Sequence, residues 1–361
     1  WDQTVNPYGR DKIEEYKINT LTPRTYGGTL SWLAADGKDE EQTDGIGASE
    51  AINKLDEFAK SNTPFFLAVG FFRPHTPFVA PKKYFNLYDR EKIEIPESSS
   101  DYLATLPEPA AKSIRAKKNQ LNLEKERAQE IKEAYYATIS FVDAQVGRLL
   151  DQLEASGLDK NTIVVFTSDH GYHMGEHGHW QKQTLFENAT RIPLIISTPN
   201  PENKGITSMS PVELIDLYPT LMDLTDINTP QHVVGKSLEP LMKNVNASIR
   251  GSALTRWRNG YSIKTKRYRL TKWGSNGELG YELYDHKNDK NELINLARNQ
   301  DYNEVMDSLK LVIEQRITEA SIKPEGLGRQ FENVKPMFKA KNITFGDIHD
   351  INGEILNFKK K

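Results

Sequence analysis

The sequence predicts an α/β protein, with a mostly parallel sheet flanked by helices and a smaller α+β region after it. Short apolar runs alternate with helical periodicity between residues 48 and 224, and this β-α-β-α rhythm is typical of a parallel sheet covered on both faces. After about Asn246 the composition shifts to alternating apolar and polar residues. We therefore expect a main α/β domain over 1–246, a small antiparallel-sheet and helix subdomain over 247–322, and a C-terminal arm over 323–361.

A helix and a strand open this rhythm. Residues 48–60 place apolar side chains at helical spacing, which predicts a helix that stops at Ser61. The run PFFLAVG over 64–70 predicts a buried strand. Residues 94–124 are polar and rich in Pro and Ser, so we expect a long surface loop there.

A long helix and two more strands follow. Apolar side chains form one continuous face over 127–156, and Gly157 stands at the expected C-terminal stop of that helix. The apolar runs at 162–167 and 193–197 predict strands, and the pattern over 211–224 predicts a helix.

The region after the α/β domain has a different pattern. Residues 252–285 alternate apolar and polar side chains and contain Asn-Gly pairs at 259 and 276, which predicts an antiparallel hairpin or meander. A helix is expected over 303–320. The residues from Lys323 onward show no clear periodicity, so we expect an extended arm.

Composition excludes several classes of function. A net charge of −3 and a pI near 6.3 give no basic footprint for nucleic acid. No apolar run approaches the roughly 20 residues of a transmembrane helix. The absence of cysteine from all 361 residues excludes disulfides and thiolate ligands. The first residues hold no charged-then-apolar leader, so we expect a signal peptide to have been removed or never present.

The most informative motif is SDHGYHMGEHGHWQK, from Ser168 to Lys182, directly after the apolar run 163–166. It places an acidic residue and a histidine where a strand ends, which is where open α/β sheets bind ligands. Asp169 and His170 are therefore candidate metal ligands, and Lys182 is suited to holding an anionic group. The plainer interpretations are an N-cap for Asp169, a satisfied polar residue for His170 and a solvated lysine.

The motif also looks like a metal cluster, because four histidines lie within ten positions: His170, His173, His177 and His179. The intervening glycines indicate a loop rather than one helical face. We therefore interpret His173 and His179 as structural or exposed, and His177 as a partner that orients the loop.

A second candidate segment is FFRPHTPF, which follows the predicted strand at 64–70. His75 lies between two prolines, and a stiff loop of this kind positions an imidazole well for hydrogen-bonding a ligand. A lone histidine is more often structural, and Arg73 is also readily explained as a surface cation.

Taken together, the segments that hold these motifs resemble those of the type I sulfatases, in order and in spacing: PFFLAVGFFRPHTPF, FVDAQVGRLLDQLEASGL, TIVVFTSDHGYHMGEHGHWQKQTLFENATRIPLII and VELIDLYPTLMDL. The resemblance is to the iduronate-2-sulfatase-like branch of that family, within the alkaline phosphatase superfamily. It covers about residues 45–295 and implies a sulfatase/alkaline-phosphatase-like fold.

The resemblance assigns roles to the candidate residues. It implies that Asp169 and His170 hold the active-site divalent cation, usually Ca²⁺, and that His75 and Lys182 contact the sulfate and are the candidates for general acid. An Asp-His pair suits zinc or manganese as well as calcium, so the metal identity stays open. Arg73 and Trp180 are candidates to bind the sugar and its carboxylates.

The first 47 residues depart from the family pattern. Sulfatases carry paired aspartates there, and a Cys- or Ser-x-Pro-x-Arg motif whose first residue becomes the formylglycine nucleophile. Thr22-Pro23-Arg24 does not match that motif. We therefore expect this chain to be the C-terminal portion of a sulfatase, with an N-terminal fragment of the same enzyme as its partner.

The implied function is hydrolysis of sulfate esters on a sulfated polysaccharide or oligosaccharide, by a bacterial enzyme exported to the periplasm or beyond. Two alternatives stay open. One is a phosphodiesterase or phosphonate monoester hydrolase of the same superfamily. The other is a non-catalytic carbohydrate-binding pseudoenzyme that keeps the anion pocket. In each case we expect no nucleic acid partner and no membrane span.

Overall fold

The computed structural model describes residues 2–61, 63–97, 100–199, 201 and 204–322. These residues form two units, one from 2–95 and 119–163 and the other from 96–118 and 164–322. The predicted C-terminal arm lies outside the described residues, and the predicted domain boundary near 246 stays a prediction.

Helices and strands alternate along both units. The helices are α1 (Arg10–Ile13), α2 (Thr43–Lys60), α3 (Lys82–Phe85), α4 (Ser100–Ala104), α5 (Glu108–Ile114), α6 (Lys125–Ala155), α7 (Glu187–Thr190), α8 (Leu217–Leu224), α9 (Glu239–Lys243) and α10 (Asn303–Ser321). The strands are β1 (Asn19–Thr20), β2 (Ser31–Ala35), β3 (Phe78–Pro81), β4 (Val164–Thr167), β5 (His173–Met174), β6 (Trp180–Gln181), β7 (Leu194–Ser197), β8 (Ala253–Trp257), β9 (Gly260–Lys264), β10 (Tyr268–Trp273) and β11 (Gly280–Asp285). Among the described residues, no helix has both the length and the apolar character needed to cross a bilayer.

The first unit is built on the sheet β1-β2-β3, whose strand β2 runs parallel to β3 and antiparallel to β1. The long helix α6 packs on β3 through Phe78 and Tyr135, whose rings meet edge to face at 5.4 Å. The helices predicted over 48–60 and 127–156 are confirmed as α2 and α6. Gly157 follows α6 in the left-handed conformation, at φ 72°.

The strand predicted over 64–70 is wrong for the described residues. These residues form no strand, and their exposure alternates, with Phe66 71% exposed. Phe65 instead stacks on Phe58 of α2, with ring centroids 4.4 Å apart. An apolar run becomes a buried strand only where neighbouring strands complete its hydrogen-bond ladder, and periodicity alone does not reveal whether they do.

The second unit contains the predicted meander, as an antiparallel sheet in the order β11-β10-β9-β8. Helix α10, also predicted, covers one face, and the core between them contains Ile263, Leu270, Leu283, Met306, Leu309 and Ile313. Gly260 is needed in the β8–β9 turn, since a Cβ there would lie 2.6 Å from the Trp273 ring.

The opposite face of this sheet is covered by the segment predicted to be a surface loop. Residues 100–114 contain α4 and α5, and their apolar side chains pack with those of other segments in one core. This core consists of Leu106, Ala110, Ala111, Ile114, Leu185, Phe186, Trp273 and Tyr284. The loop prediction is therefore wrong. Ala110, Ala111 and Ile114 form the buried face of α5, a pattern that the surrounding polar residues obscured.

The strands predicted at 162–167 and 193–197 are confirmed as β4 and β7, and the predicted α/β fold class is confirmed. They pair antiparallel, with Val165 opposite Ile196. Among the described strand pairs only β2–β3 is parallel. The connection from β4 to β7 contains a short hairpin and a four-residue helix, not the long crossover helix typical of parallel pairs. This two-stranded sheet leaves apolar side chains exposed on both strands, with Phe166 40% and Ile195 59% exposed.

Replacing Leu283 tests the core between the sheet and α10. Leu283 is fully buried, so Leu283→Ala should lower the free energy of unfolding by about 2–5 kcal/mol through lost burial and a residual cavity. Urea unfolding monitored by circular dichroism measures this value. Leu311→Ala is the matched control, because Leu311 on α10 is 75% exposed. Equal effects of the two substitutions would contradict this description of the core.

Candidate functional site

Asp169 and His170 form a close pair just after β4. The ring Nδ1 of His170 lies 2.8 Å from the carbonyl oxygen of Gly171, so Nδ1 carries the proton and Nε2 is left with its lone pair. That Nε2 lies 3.5 Å from Oδ2 of Asp169, a spacing suited to two ligands of one cation. The Asp169 side chain is 82% exposed. The pair therefore fits part of a cation site, to which no third His, Asp or Glu contributes among the described residues.

Gly171 holds this pair in place. Its N–H donates to the carbonyl of Ala189 in α7, at 2.8 Å. A Cβ at this position would lie 2.1 Å from the carbonyl oxygen of Asn188. The motif thus requires glycine because two backbone segments approach closely here.

The other three histidines of the motif are buried in the β5–β6 hairpin region. Each bonds a different element: His173 Nε2 lies 2.8 Å from Thr184 Oγ1, His177 Nδ1 lies 2.9 Å from the Tyr102 hydroxyl, and His179 Nδ1 donates to the Ile114 carbonyl at 3.1 Å. His177 also stacks on Phe186, with centroids 4.1 Å apart. His173 and His179 are therefore structural rather than exposed. The contacts of His177 agree with the loop-orienting role predicted for it, and that role stays a prediction.

Burial keeps these three rings neutral. It lowers the pKa of His177 and of His179 to about 4, and that of His173 well below its ordinary value. The nearby His179 and His177 lower the pKa of His173 further, and Lys117 lowers that of His179 further. The carboxylates of Glu292 and Asp289 oppose the lowering of the His177 pKa. The rings do not converge on one point as a set of metal ligands.

Lys182 follows the hairpin directly and is half-buried. Its backbone carbonyl accepts a hydrogen bond from the Thr184 N–H at 2.8 Å. Burial lowers the pKa of the Lys182 ammonium, and Asp169 opposes that shift. Trp180, in β6, is 4% exposed. The sugar-binding role predicted for Trp180 stays a prediction, one that its burial disfavours.

A buried ionic network that sequence reasoning missed anchors α7. The Arg269 guanidinium on β10 donates to Glu187 and, at 2.6 Å, to Glu292, while the Glu187 N–H donates to Glu292 at 2.7 Å. Burial would raise the pKa of Glu292, but Arg269 and His286 lower it to about 2. Glu187, His286 and Glu292 are close enough to hold a metal ion. The Arg269 charge already neutralises these carboxylates and disfavours a cation among them.

His75 and Arg73 belong to the first unit. Arg73 is buried and donates from Nε to the Val79 carbonyl at 3.1 Å and from its terminal nitrogen to Asp11 at 2.6 Å. Both Asp44 carboxylate oxygens accept backbone N–H groups, of Phe72 and Arg73, at 2.9 Å. The substrate-binding role of Arg73 stays a prediction that these contacts disfavour, because they use the guanidinium to hold the loop.

The same loop presents His75, which is exposed. Its Nδ1 lies 2.7 Å from the carbonyl oxygen of Thr76 and so carries a proton, which leaves Nε2 as the basic nitrogen. The structure thus brings Asp169, His170 and Lys182 into one stretch of the second unit and His75 into a braced loop of the first. The sequence did not identify Asp11 and Asp44, which brace this loop, because neither residue lies in a recognisable motif.

Comparison with known proteins matches most of the chain to two family models. Residues 5–227 match the model described as Sulfatase, and residues 175–319 match that described as N-sulphoglucosamine sulphohydrolase, C-terminal. A sulfatase of Formosa agariphila is 37% identical over 272 residues, 73% of this chain and 52% of the relative. Human iduronate 2-sulfatase is 34% identical over 218 residues, 50% of this chain and 39% of the relative. The chain spans about half the length of the curated relatives it matches.

Solved structures show the same fold. The protein BT4656 in complex with its substrate D-glucosamine-2-N,6-O-disulfate superposes with a TM-score of 0.65 at 23% identity, over 76% of this chain and 69% of that protein. The phosphonate monoester hydrolase of Silicibacter pomeroyi superposes with a TM-score of 0.70 at 22% identity, over 88% of this chain and 66% of that protein. At these identities the likeness concerns the fold alone.

The buried histidines predict a loss of stability in acid. Their folded pKa values lie below the ordinary 6.5 of the unfolded chain, so the unfolded state binds more protons between about pH 6.5 and 4. Above that pH range these histidines do not lower the free energy of unfolding. On acidification through the range, each should lower it by about 1.4 kcal/mol per pH unit. Urea unfolding at a series of pH values measures this slope.

His179→Asn should reduce the slope, because asparagine retains a donor toward the Ile114 carbonyl and does not titrate. His232→Gln, which replaces an exposed histidine, is the matched control and should keep the wild-type slope. An unchanged slope in His179→Asn would show that this ring does not charge on unfolding.

Proposed function

The chain belongs to the sulfatase family, as its sequence predicted, and from this premise we propose that it takes part in hydrolysing sulfate esters on a sulfated carbohydrate. The observation that carries the proposal is the Asp169–His170 pair, with its 3.5 Å separation, on the same stretch of chain as the half-buried Lys182. A cation site and a fixed ammonium are the groups that a sulfate ester needs around its charged oxygens.

We assign the divalent cation to Asp169 and His170, with Ca²⁺ as the first candidate. The exposed carboxylate supplies the hard oxygen that calcium prefers, and the imidazole offers Nε2 because Nδ1 is bonded to Gly171. When bound, the cation would neutralise negative charge on the sulfate. Calcium takes six to eight ligands, so the pair contributes only a share and the other ligands come from elsewhere.

Lys182 and His75 are proposed to act on the ester itself. A half-buried ammonium is stabilised when an anion accompanies it, so Lys182 is suited to bind sulfate oxygens. His75 presents Nε2 from a loop braced by Arg73, Asp11 and Asp44. Either side chain is a candidate to protonate the leaving oxygen. Arg73 contributes by positioning that loop.

The nucleophile is proposed to be a formylglycine on polypeptide outside these 361 residues, which hold no cysteine. The proposal is supported by the apolar side chains exposed along β4, β7 and residues 64–70, such as Phe166 and Ile195. Exposed apolar strands are normally covered by further strands. We propose that the segment bearing the nucleophile covers them, in an enzyme that works in the periplasm or outside the cell.

The phosphonate monoester hydrolases share the fold at identities below 25%, and no feature of the described residues favours their chemistry. Relatives at 34–37% identity are sulfatases. A carbohydrate-binding pseudoenzyme would keep the cation pair and Lys182 without turnover. Assays with an aryl sulfate, a sulfated oligosaccharide and a phosphodiester separate the three.

Lys182→Met tests the catalytic proposal. In the assembled protein, with every co-purifying chain identified by intact mass, it should lower kcat/KM for sulfate esters by about 10²-fold, because one fixed charge at the reacting group is lost. Lys310→Met is the matched control, since Lys310 lies on the surface of α10 beside Asp307. Wild-type protein that cleaves the phosphodiester in preference to sulfate esters, or a Lys182→Met enzyme of full activity, would contradict the proposal.

Asp169→Asn and His170→Gln test the cation site by binding rather than by activity. Each should weaken Ca²⁺ binding by at least about tenfold, equivalent to about 1.4 kcal/mol, because the cation loses one of its ligands. Isothermal titration with Ca²⁺, Mn²⁺ and Zn²⁺ measures the affinities and the preference among them. Asp307→Asn on α10, where Asp307 is 78% exposed, should leave them unchanged. Wild-type affinities in both site variants would rule out these ligands.

A further inference from the structure

A basic segment follows α5 and docks beside Lys182. Residues 112–118 carry four cations and no acidic residue, namely Lys112, Arg115, Lys117 and Lys118. Hydrogen bonds hold this segment to the motif: the Ile114 carbonyl accepts from His179 at 3.1 Å, and Lys117 Nζ donates to Gln181 Oε1 at 2.6 Å. A charge-rich stretch of an otherwise acidic chain is therefore fixed next to the predicted sulfate-binding lysine.

Lys117 reaches the residue directly before Lys182, because its Nζ donates to Oε1 of Gln181. Burial lowers the pKa of Lys117, and the charge of Lys182 lowers it further. Both lysines are half-buried, and Coulomb repulsion between partly buried charges is screened less than repulsion at the surface. Two like charges held in this way are stabilised when an anion lies between or beside them.

Gln181 provides a second, independent observation. It is 6% exposed and adopts φ 85°, a conformation that side-chain-bearing residues rarely take and that clusters at ligand sites. Its Oε1 accepts from Lys117, whereas its Nε2 has no hydrogen-bond partner among the described residues. A buried amide donor without an acceptor is costly, and an anion oxygen is the partner that it lacks.

We propose that Lys117, Gln181 and the cations of residues 112–118 form a second anion subsite adjoining Lys182. It would bind a sulfate or carboxylate on a sugar other than the one that carries the ester to be cleaved. The inference rests on the proposed function and makes it narrower: the substrate is a glycan with several negative charges rather than a small monosulfate. Charge complementarity supports this, because neighbouring sugars of such a chain repeat their charges at close intervals.

Binding to the whole protein tests the subsite without requiring turnover. The probes are a sulfated tetrasaccharide, an unsulfated uronic acid tetrasaccharide and inorganic sulfate. Lys117→Met should weaken binding of at least one tetrasaccharide by about tenfold, the effect of 1.4 kcal/mol, and change sulfate affinity much less. It should also reduce the salt dependence of that binding. Lys117→Arg should retain most of the affinity, and Lys310→Met, a matched loss of charge on α10, should retain all of it.

The outcomes separate this inference from the proposed function. Weakening for the sulfated probe alone identifies the bound group as sulfate, and weakening for both identifies carboxylate recognition. Tight binding that depends on Lys117, without hydrolysis of any sulfate ester, would support the subsite while contradicting the proposed enzyme activity. Wild-type affinity of a folded Lys117→Met protein, or wild-type protein that binds the tetrasaccharides no better than inorganic sulfate, would overturn the subsite.

Discussion

The second unit depends on the buried guanidinium of Arg269. It links strand β10 to Glu187 at the start of α7 and to Glu292 after β11, and Glu292 in turn accepts the Glu187 N–H. Removing one partner of such a buried pair typically lowers the free energy of unfolding by about 3–5 kcal/mol, because it leaves the remaining buried charge without a counter-charge. The Gly171 N–H donates a hydrogen bond to α7. The ionic network that anchors α7 therefore also helps to position the Asp169–His170 pair. The loop that carries the candidate chemistry is therefore fixed to a sheet formed almost a hundred residues later in the chain.

The sequence predicted the parts of the site that lie close together along the chain. Asp169, His170 and Lys182 were identifiable because they follow one strand in one contiguous motif. The meander and its helix were also predictable, since alternation and Asn-Gly turns are local signals. The burial of Arg73 was not predictable in this way, because its guanidinium pairs with Asp11, 62 residues away. Pairings between distant charged residues have no local pattern, so the sequence offered Arg73 only as a substrate-binding residue or a surface cation, and not as a partner of Asp11.

The segment after residue 94 shows a different limit. Its polar composition predicted a loop, yet Ala110, Ala111 and Ile114 form the buried face of α5 and join one core with Phe186 and Trp273. Burial needed a partner surface that only the folded sheet provides, and the strand predicted over 64–70 failed for the converse reason, because no described strand completes it. Local pattern determines which face of an element is apolar, but distant elements determine whether that face is covered.

The neutral histidines hydrogen-bond neighbouring segments without adding positive charge near the two lysines. Leucine or phenylalanine at 173, 177 and 179 would fill the space but would make none of the bonds to Thr184, Tyr102 and the Ile114 carbonyl. Charged groups there would add to the repulsion that Lys117 and Lys182 already experience. A buried imidazole is rigid, polar and uncharged at neutral pH, so it supplies a directional bond without a further positive charge. Within the histidine-rich motif, His179 therefore anchors the segment that carries Lys117 without adding a charge, which is a role different from the metal cluster that the composition of the motif suggests.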